Sequence, residues 1–434
     1  MGTNADKMRQ FGLSACDILL PRDGTDLSKW AVVACDQFTS QPEYWERVDD
    51  YVGTAPSSLR IIFPECYLEK DGKQERIEAI NKAMTEYLDK GILQEHRDCF
   101  ILVKRDTESG TRYGLMASLD LEKYDYGSGS RSLIRATEGT ILSRIPPRKE
   151  IRKNAELEIP HIMVLISDKD RSIIEPLCDK RDELGKIYET DLMENGGHIT
   201  GYIVNNPEDI ESLASSFLSL CSTLDPSNPL LFAMGDGNHS LATAKSCWED
   251  IKKGLSEEEM ENHPARWALV EIENIFDEGL QFEPIHRVFF GLEEDDFKSI
   301  LSKHASSIET RAIERSEMHS LINEPGKQRF ALSAGGTLKL YEVNGTEKKL
   351  AAGTIQKVID DIVEGGKCEI DYIHGEDVTL ELASRRGNIG IILPDISKET
   401  FFQAIINDGA FPRKTFSIGH ANEKRYYMEA RRIR

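Results

Sequence analysis

A chain of 434 residues with 39% hydrophobic and 30% charged residues is long enough for two or three domains and too apolar to be disordered. Its formal net charge of −21 argues against duplex DNA or another long polyanion as the main ligand, because a uniformly acidic surface repels phosphate chains. A small anion stays open to it, since local backbone N–H groups can hold phosphate against the global field. The eight cysteines are widely spaced, and none forms a CxxC pair. Several sit in apolar runs, as in Ala31-Val-Val-Ala-Cys35, which fits reduced core thiols in a cytoplasmic protein better than a zinc knot or a disulfide framework. No basic-then-apolar leader is visible, and no apolar run approaches about 18 residues, so neither a signal peptide nor a membrane span is expected.

In chain order, Trp30 to Cys35 reads as a buried strand. The polar run Asp36-Gln-Phe-Thr-Ser40 follows it, at the carboxyl end where α/β strands meet ligands. Ser40-Gln-Pro42-Glu43 also reads as a helix cap, which accounts for Ser40 and Pro42 but not Asp36, so Asp36 stays a candidate site residue. Ile77, Ile80, Ala83, Met84 and Tyr87 have helical spacing within 74–87. Cys99 to Val103 and Arg112 to Leu121 read as strands around the Ser109-Gly110 turn. The spacing then predicts a strand over 162–166, a helix over 170–188, a strand over 198–204, a helix over 208–221, a strand over 230–234 and a helix over 239–253. The run Glu257 to Glu261 reads as a solvated acidic stretch. Beyond Arg287 come a helix at 297–301, a hairpin over 329–343 around Gly335-Gly336, a helix over 355–363 and a strand over 389–393. The alternation predicts an α/β to α+β protein of mixed sheets with flanking helices, with one domain over 1–290 and a C-terminal α+β domain over 291–434.

The sharpest motif is Leu230-Leu-Phe-Ala-Met-Gly235-Asp236-Gly237-Asn238-His239-Ser240, a buried strand that turns directly into a helix. Gly235 and Gly237 permit unusual backbone angles and close approach of a ligand, and a helix start offers N–H groups and partial positive charge to phosphate. Asp236 could hold a metal or act as a base; Asn238 can donate and accept; His239 could exchange a proton with a phosphate oxygen. An ordinary corner, with Asp236 or Asn238 capping the helix, accounts for the same residues about as well. The P-loop pattern is absent, and no third glycine completes the dinucleotide fingerprint. A metal centre of Asp236, His239 and His198 is conceivable if their strands are neighbours.

This loop resembles the DGHHR loop of ParB/sulfiredoxin-like proteins, and in particular the family known as domain of unknown function 1015. Cys16-Asp-Ile-Leu-Leu-Pro21, Ala34-Cys-Asp36, Gly197-His198-Ile-Thr-Gly-Tyr202, Pro284-Ile-His286-Arg287 and Phe411-Pro-Arg413-Lys414-Thr415 resemble further segments of that family, so the likeness spans nearly the whole chain. The resemblance implies a ParB/sulfiredoxin-like core with an additional C-terminal domain. The wider group includes kinases of free serine, in which a glutamate activates the hydroxyl. Arg135-Ala-Thr-Glu138-Gly-Thr140 matches that region with a gap, which makes Glu138 the implied base beside Asp236 and His239. The loop departs from the family at Ser240, where arginine is expected. That loss removes a bidentate phosphate clamp. Arg135, Arg131, Arg144, Arg148 and Lys149, or Arg413 and Lys414, are the candidate replacements.

The expected function is therefore a nucleotide- or phosphate-binding enzyme, a serine-kinase-like phosphotransferase acting on a small hydroxylated metabolite with ATP or ADP and Mg²⁺. Glu138, Asp236 and His239 would be catalytic. Gly235, Gly237, Asn238, Ser240, Arg135, Arg413 and Lys414 would bind the cofactor, and Asp236 any metal. The alternatives are a metal-dependent phosphoesterase or nuclease, and a ligand-binding regulatory protein that has lost the chemistry. The partner is a small phosphate-containing ligand, with no nucleic acid and no membrane; a homo-oligomer is compatible with the sequence.

Overall fold

The computed structural model describes residues 4–366 and 368–434. They form two compact units. The first comprises residues up to Gln281 together with Gly419–Arg434, and the second is Phe282–Ile418. The expected division at 290/291 differs in two ways. The second unit begins nine residues earlier, at Phe282 rather than 291 and at the start of a strand, and Gly419–Arg434 belongs to the first unit.

The strands of the first unit are β1 (Leu13–Ser14), β2 (Cys16–Pro21), β3 (Leu93–Thr107), β4 (Gly110–Asp120), β5 (Tyr124–Asp125), β6 (Ile134–Arg135), β7 (Leu157–Glu158), β8 (Met163–Ile166), β9 (Gly185–Asp191), β10 (His198–Val204), β11 (Phe232–Asp236) and β12 (Trp267–Asn274). Among the described residues one mixed sheet runs β5-β6-β11-β8-β12-β4-β3-β10-β9, with β1 on β4 and β2 on β3. Side chains of alternating parity go to opposite faces. On one face Phe100, Leu102, Leu115, Val164, Val270 and Ile272 pack under the helices Pro207–Ser222 and Asn238–Ile251. On the other, Cys99, Ile101, Val103, Met116 and Leu269 pack against the helices Pro42–Val52 and Lys73–Asp89. The second helix buries Ile77, Ile80, Met84 and Tyr87, as their spacing predicts.

The second unit contains β13 (Phe282–Phe290), β14 (Ser307–Ala312), β15 (Arg329–Ala334), β16 (Thr337–Asn344), β17 (Glu369–His374), β18 (Asn388–Ile392) and β19 (Phe416–Ile418). Its sheet runs β14-β16-β15-β18-β13-β17, with β19 on β13. The helix Ala351–Glu364 lays Ile355, Val358, Ile359 and Ile362 on it. The β15–β16 hairpin turns at Gly335 and Gly336, both at positive φ, as expected.

Two predicted elements differ. The run 170–188 is not a helix: only Glu175–Asp179 is helical, and Gly185–Asp191 is β9. Its apolar positions are explained instead by edge pairing with β10. The predicted strand over 30–35 is not a sheet strand: Trp30 closes the short helix Leu27–Trp30, and only Val33 forms an isolated bridge, to Tyr426. The run pairs with the returning C-terminal segment, through Ala34 N–H to Arg425 O (2.8 Å) and Tyr427 N–H to Val32 O (2.9 Å).

That segment threads Arg425 to Arg431 into the interior of the first unit, ending in β20 (Arg431–Arg432) against β7. β12 is buried along nearly its whole length, yet it carries Glu271 and Glu273. Arg425 Nε lies 2.9 Å from Glu271 Oε2, and its guanidinium also pairs with Glu429; Tyr188 OH donates to Glu429. Arg112 Nε lies 3.1 Å from Glu273 Oε1. Gly114, opposite Glu273 in the register, has to be glycine: a Cβ there would lie 2.2 Å from Glu271 Oε1. Arg431 and Arg152 both meet Glu158, at 2.9 and 2.5 Å. Removing one partner of a buried ion pair leaves the other charge uncompensated. Arg425→Ala is therefore expected to destabilise the first unit by about 3–5 kcal/mol, read from the denaturant midpoint of its unfolding. A loss below about 1 kcal/mol, the range of an exposed pair, would contradict this network.

Candidate functional site

β11 runs in parallel beside β6, Phe232 opposite Ile134 and Ala233 opposite Arg135, and antiparallel to β8. The β8 register shifts between Met234 and Asp236, so Gly235 sits at a bulge, a device that re-aims the chain at the end of a strand. Gly237 then takes φ +77, and a Cβ there would meet Ile162 Cα at 3.1 Å. Both facts require glycine. The helix Asn238–Ile251 starts at the next residue, and Gly237 supplies no capping side chain to its first turn. The first-turn N–H groups of such a helix point outward with the positive end of its dipole.

The segment 137–141 is tied to this turn at both ends. Thr137 N–H donates to Asn238 Oδ1 (3.2 Å), and Thr137 Oγ1 donates to Met234 O (2.7 Å). Ile141 N–H donates to His239 Nε2 (3.3 Å), which leaves the ring proton of a neutral His239 on Nδ1. Glu138 is half-buried and lies between these two anchors. The backbone thus brings the Glu138 segment to the loop, although 97 to 101 residues separate the bonded pairs in sequence.

Asp236 accepts from Gly237 N–H (2.7 Å) through Oδ1, while Oδ2 lies 3.2 Å from Lys424 Nζ. Lys424, from the returning segment, is the cation that sits at the loop. Three of the cationic residues proposed from sequence, Arg135, Arg148 and Lys149, are engaged elsewhere. Arg135 is buried and donates to Ser132 O, Asn228 Oδ1 and Pro229 O. Asn228 and Pro229 lead into β11, so its guanidinium braces the start of that strand against the turn before β6. Arg148 grips Glu65, and Lys149 pairs with Asp250. Arg413 and Lys414 are exposed residues of the second unit, where Lys414 Nζ lies 4.9 Å from the Tyr372 ring centre.

Ser240, standing where the family pattern has arginine, reaches His161: its Oγ is 3.2 Å from Nε2. Asp36 Oδ2 lies 3.5 Å from the same nitrogen, and Asp36 Oδ1 accepts from Gln37 Nε2 (2.9 Å). His161 Nδ1 is 2.7 Å from Tyr427 OH, which accepts from Cys35 N–H at 3.0 Å. Burial favours a neutral His161, but the Asp36 carboxylate outweighs it and raises the imidazole well above its ordinary 6.5. Burial likewise raises Asp36, and the His161 charge, the Gln37 amide and Lys424 together hold it well below the ordinary 3.8. An imidazolium donates from both nitrogens, which matches the acceptors on either side.

Asp36, kept as a candidate from sequence, is therefore part of this cluster. His161, Lys424 and Tyr427 escaped sequence reasoning. His161 carries a weak signal, in that it directly precedes the apolar run of β8; Lys424 and Tyr427 carry none. His198 does not join: β10 and β11 have four strands between them, and His198 pairs instead with Asp191 and Glu189. The metal centre of Asp236, His239 and His198 is thus excluded. Among the described residues no three His, Cys, Asp or Glu side chains gather as a metal cluster. An Mg²⁺ at Asp236 does not fit as a site built by the protein alone. Among the described residues no helix is long and apolar enough to cross a membrane, and all eight cysteines are unpaired.

The Asp36–His161 pair fixes a pH window. The raised imidazole contributes its full stabilisation below 6.5 and loses it as pH rises through the folded value. The lowered carboxyl contributes above 3.8 and loses it as pH falls through its own folded value. The stability advantage of the native protein over His161→Gln should be largest between those ordinary values and shrink toward alkaline pH. Nitrogen-15 spectra of the ring should show imidazolium well above 6.5. A difference in stability that stays flat between about pH 5 and pH 9 would contradict the pairing.

No curated protein matches this chain. Among solved structures it is similar to a free serine kinase in complex with AMP, at 14% identity over 72% of this chain and 90% of that one, with a TM-score of 0.38. A mutant of the free serine kinase in complex with ADP gives 14% identity, 72% and 91% coverage and a TM-score of 0.39. A conserved hypothetical protein from Pyrococcus furiosus gives 13%, 72%, 90% and 0.35. Residues 19–361, which include β3 to β16 and the whole loop with its Thr137–Ile141 segment, match one family, and the chain belongs to it: the family described as protein of unknown function, DUF1015.

Proposed function

We propose that the protein is a phosphotransferase acting on a small hydroxylated metabolite, with the loop 235–240 as its phosphate site. The observation that carries this reading is the pair of hydrogen bonds that fasten Thr137 to Asn238 and Ile141 to His239. They set a carboxylate-bearing segment beside an uncapped helix start, which are the two parts phosphoryl transfer needs: a base for the acceptor and fixed donors for the phosphoryl oxygens.

In this reading ATP or ADP supplies the phosphoryl group. The N–H groups at the start of the helix Asn238–Ile251 bind its oxygens, and Gly235 and Gly237 keep the backbone close to them. Lys424 takes over the charge compensation that the missing arginine would have given, through its contact with Asp236. His239, with Nε2 taken by Ile141 N–H, donates from Nδ1. Glu138 takes the proton of the acceptor hydroxyl as its oxygen bonds to phosphorus and the bond to the leaving phosphate oxygen breaks. Asp236 orients Lys424 and is the carboxylate within reach of an Mg²⁺ that arrives bound to phosphate; the ion's remaining ligands would be phosphate oxygens and water.

Calorimetry with ATP, ADP and Mg²⁺ tests this directly, and binding to the native protein is expected. Lys424→Ala should weaken it about tenfold, or about 1.4 kcal/mol. Glu138→Gln should leave nucleotide binding intact and lower turnover about 100- to 10,000-fold. Absence of nucleotide binding at millimolar concentration would end this reading.

A further inference from the structure

The helix that starts at Asn238 has a second face toward a cleft of about 150 Å³ in the first unit, lined by Ser240 and Thr243. Most of the cleft wall is hydrocarbon. Ile61, Ile62 and Phe63 come from the loop after the helix Pro42–Val52, and Ile80 and Met84 from the helix Lys73–Asp89. All five belong to the core on that face of the sheet.

The charges in the wall are matched among themselves. Arg148 Nε donates to Glu65 Oε1 at 2.6 Å, and Arg152 meets Glu158 at 2.5 Å. His161 is balanced by Asp36. An ionic ligand would find no uncompensated opposite charge to repay its desolvation. What remains for a ligand is hydrocarbon surface and one polar corner, formed by Ser240 Oγ, Tyr427 OH and His161, whose charge Asp36 already balances. The size sets the scale of the occupant, since an apolar cavity of about 150 Å³ accepts benzene. A polyol or a free hydroxyamino acid would bring extra polar groups against isoleucine and methionine, at about 1–3 kcal/mol for each one left unpaired.

We infer that this cleft holds the phosphoryl acceptor, and that the acceptor is a small alcohol with an aromatic or branched aliphatic body, its hydroxyl hydrogen-bonded to Ser240 Oγ. The word acceptor rests on the phosphotransferase reading; the ligand class rests on the cleft alone. In this arrangement Ser240 is more than a lost arginine. It is the polar contact that anchors the alcohol where the loop begins its helix.

The test titrates benzyl alcohol, 3-methyl-1-butanol, toluene, glycerol and serine into the full chain without nucleotide, followed by NMR of the isoleucine and methionine methyl groups. Benzyl alcohol and 3-methyl-1-butanol should saturate, shifting Ile80 and Met84, at least tenfold more tightly than glycerol or serine. Ser240→Ala should weaken benzyl alcohol severalfold and leave toluene unchanged. Met84→Trp should fill the cleft and abolish saturation. If that variant does not fold, judged by its thermal midpoint, Ile62→Phe serves the same purpose. Glycerol or serine binding as tightly as benzyl alcohol would overturn the inference, as would failure of both apolar alcohols to saturate. Adding ATP and Mg²⁺ separates the two readings. Saturable alcohol binding with no phosphate ester formed leaves the ligand class standing and removes phosphotransfer. Nucleotide binding with no alcohol binding removes the ligand class and leaves the phosphate site standing.

Discussion

The pairing of Arg425 with Glu271 and Glu429 is the interaction on which the rest of the first unit depends. A central strand buried on both faces normally carries only hydrocarbon. β12 instead carries two carboxylates inward, Glu271 and Glu273, and each meets a guanidinium. Carboxylates of that kind would cost several kcal/mol apiece if left alone. The returning segment supplies one of the two compensating cations and cannot be dispensed with. Its burial in turn fixes everything adjacent to it in sequence. Lys424, one residue before Arg425, is delivered to Asp236, and Tyr427, two residues after, is delivered to His161.

The candidate site is thus assembled from five stretches that no local pattern links. The loop 235–240 comes from β11 and its helix, the segment 137–141 from the turn after β6, Asp36 from the turn after the apolar run 30–35, His161 from the residues just before β8, and Lys424 with Tyr427 from the tail. Rigid elements hold each of them, which is how a site gains precision. Ser240 illustrates the economy of the arrangement. Where an arginine would have reached a phosphate, the shorter side chain instead bonds His161 and opens the helix toward the apolar cleft.

The strand–loop–helix element was legible because its signals are local: an apolar run, two glycines and a helical repeat. The helices 73–89 and 207–222 and the hairpin at Gly335-Gly336 were legible for the same reason. The run 170–188 misled because its apolar positions serve an edge strand and a loop, and spacing alone does not separate a short helix from a strand. Trp30 to Cys35 looked like a sheet strand because it is an apolar run, but it starts at the end of a short helix and its partner is the tail, 392 residues away at the Cys35–Tyr427 contact. Arg135 looked like a phosphate ligand because cations stand out in an acidic chain. Three backbone and side-chain acceptors before β11 claim it instead. Charge in a sequence reports what a residue can do, while burial decides what it does. Lys424 had no sequence signal because its significance lies wholly in where Arg425 beside it must go.

The order of the chain gives this topology a temporal side. The second unit, Phe282–Ile418, is inserted between β12 and the segment that completes the first unit. A chain emerging from the ribosome presents Glu271 and Glu273 long before Arg425 exists to meet one of them. Until then Glu271 lacks its guanidinium, Val32 and Ala34 lack their backbone partners, and Asp236 lacks Lys424. Closing so long a loop adds little to the final free energy, because the entropic cost grows only with the logarithm of length. It does set the sequence of events. The second unit has all its strands and can fold on emergence as domains generally do. The first unit cannot reach its final packing until the returning segment, Gly419–Arg434, has followed the second unit out. The loop, the cleft and their charges therefore come into being together, once the returning segment has been made.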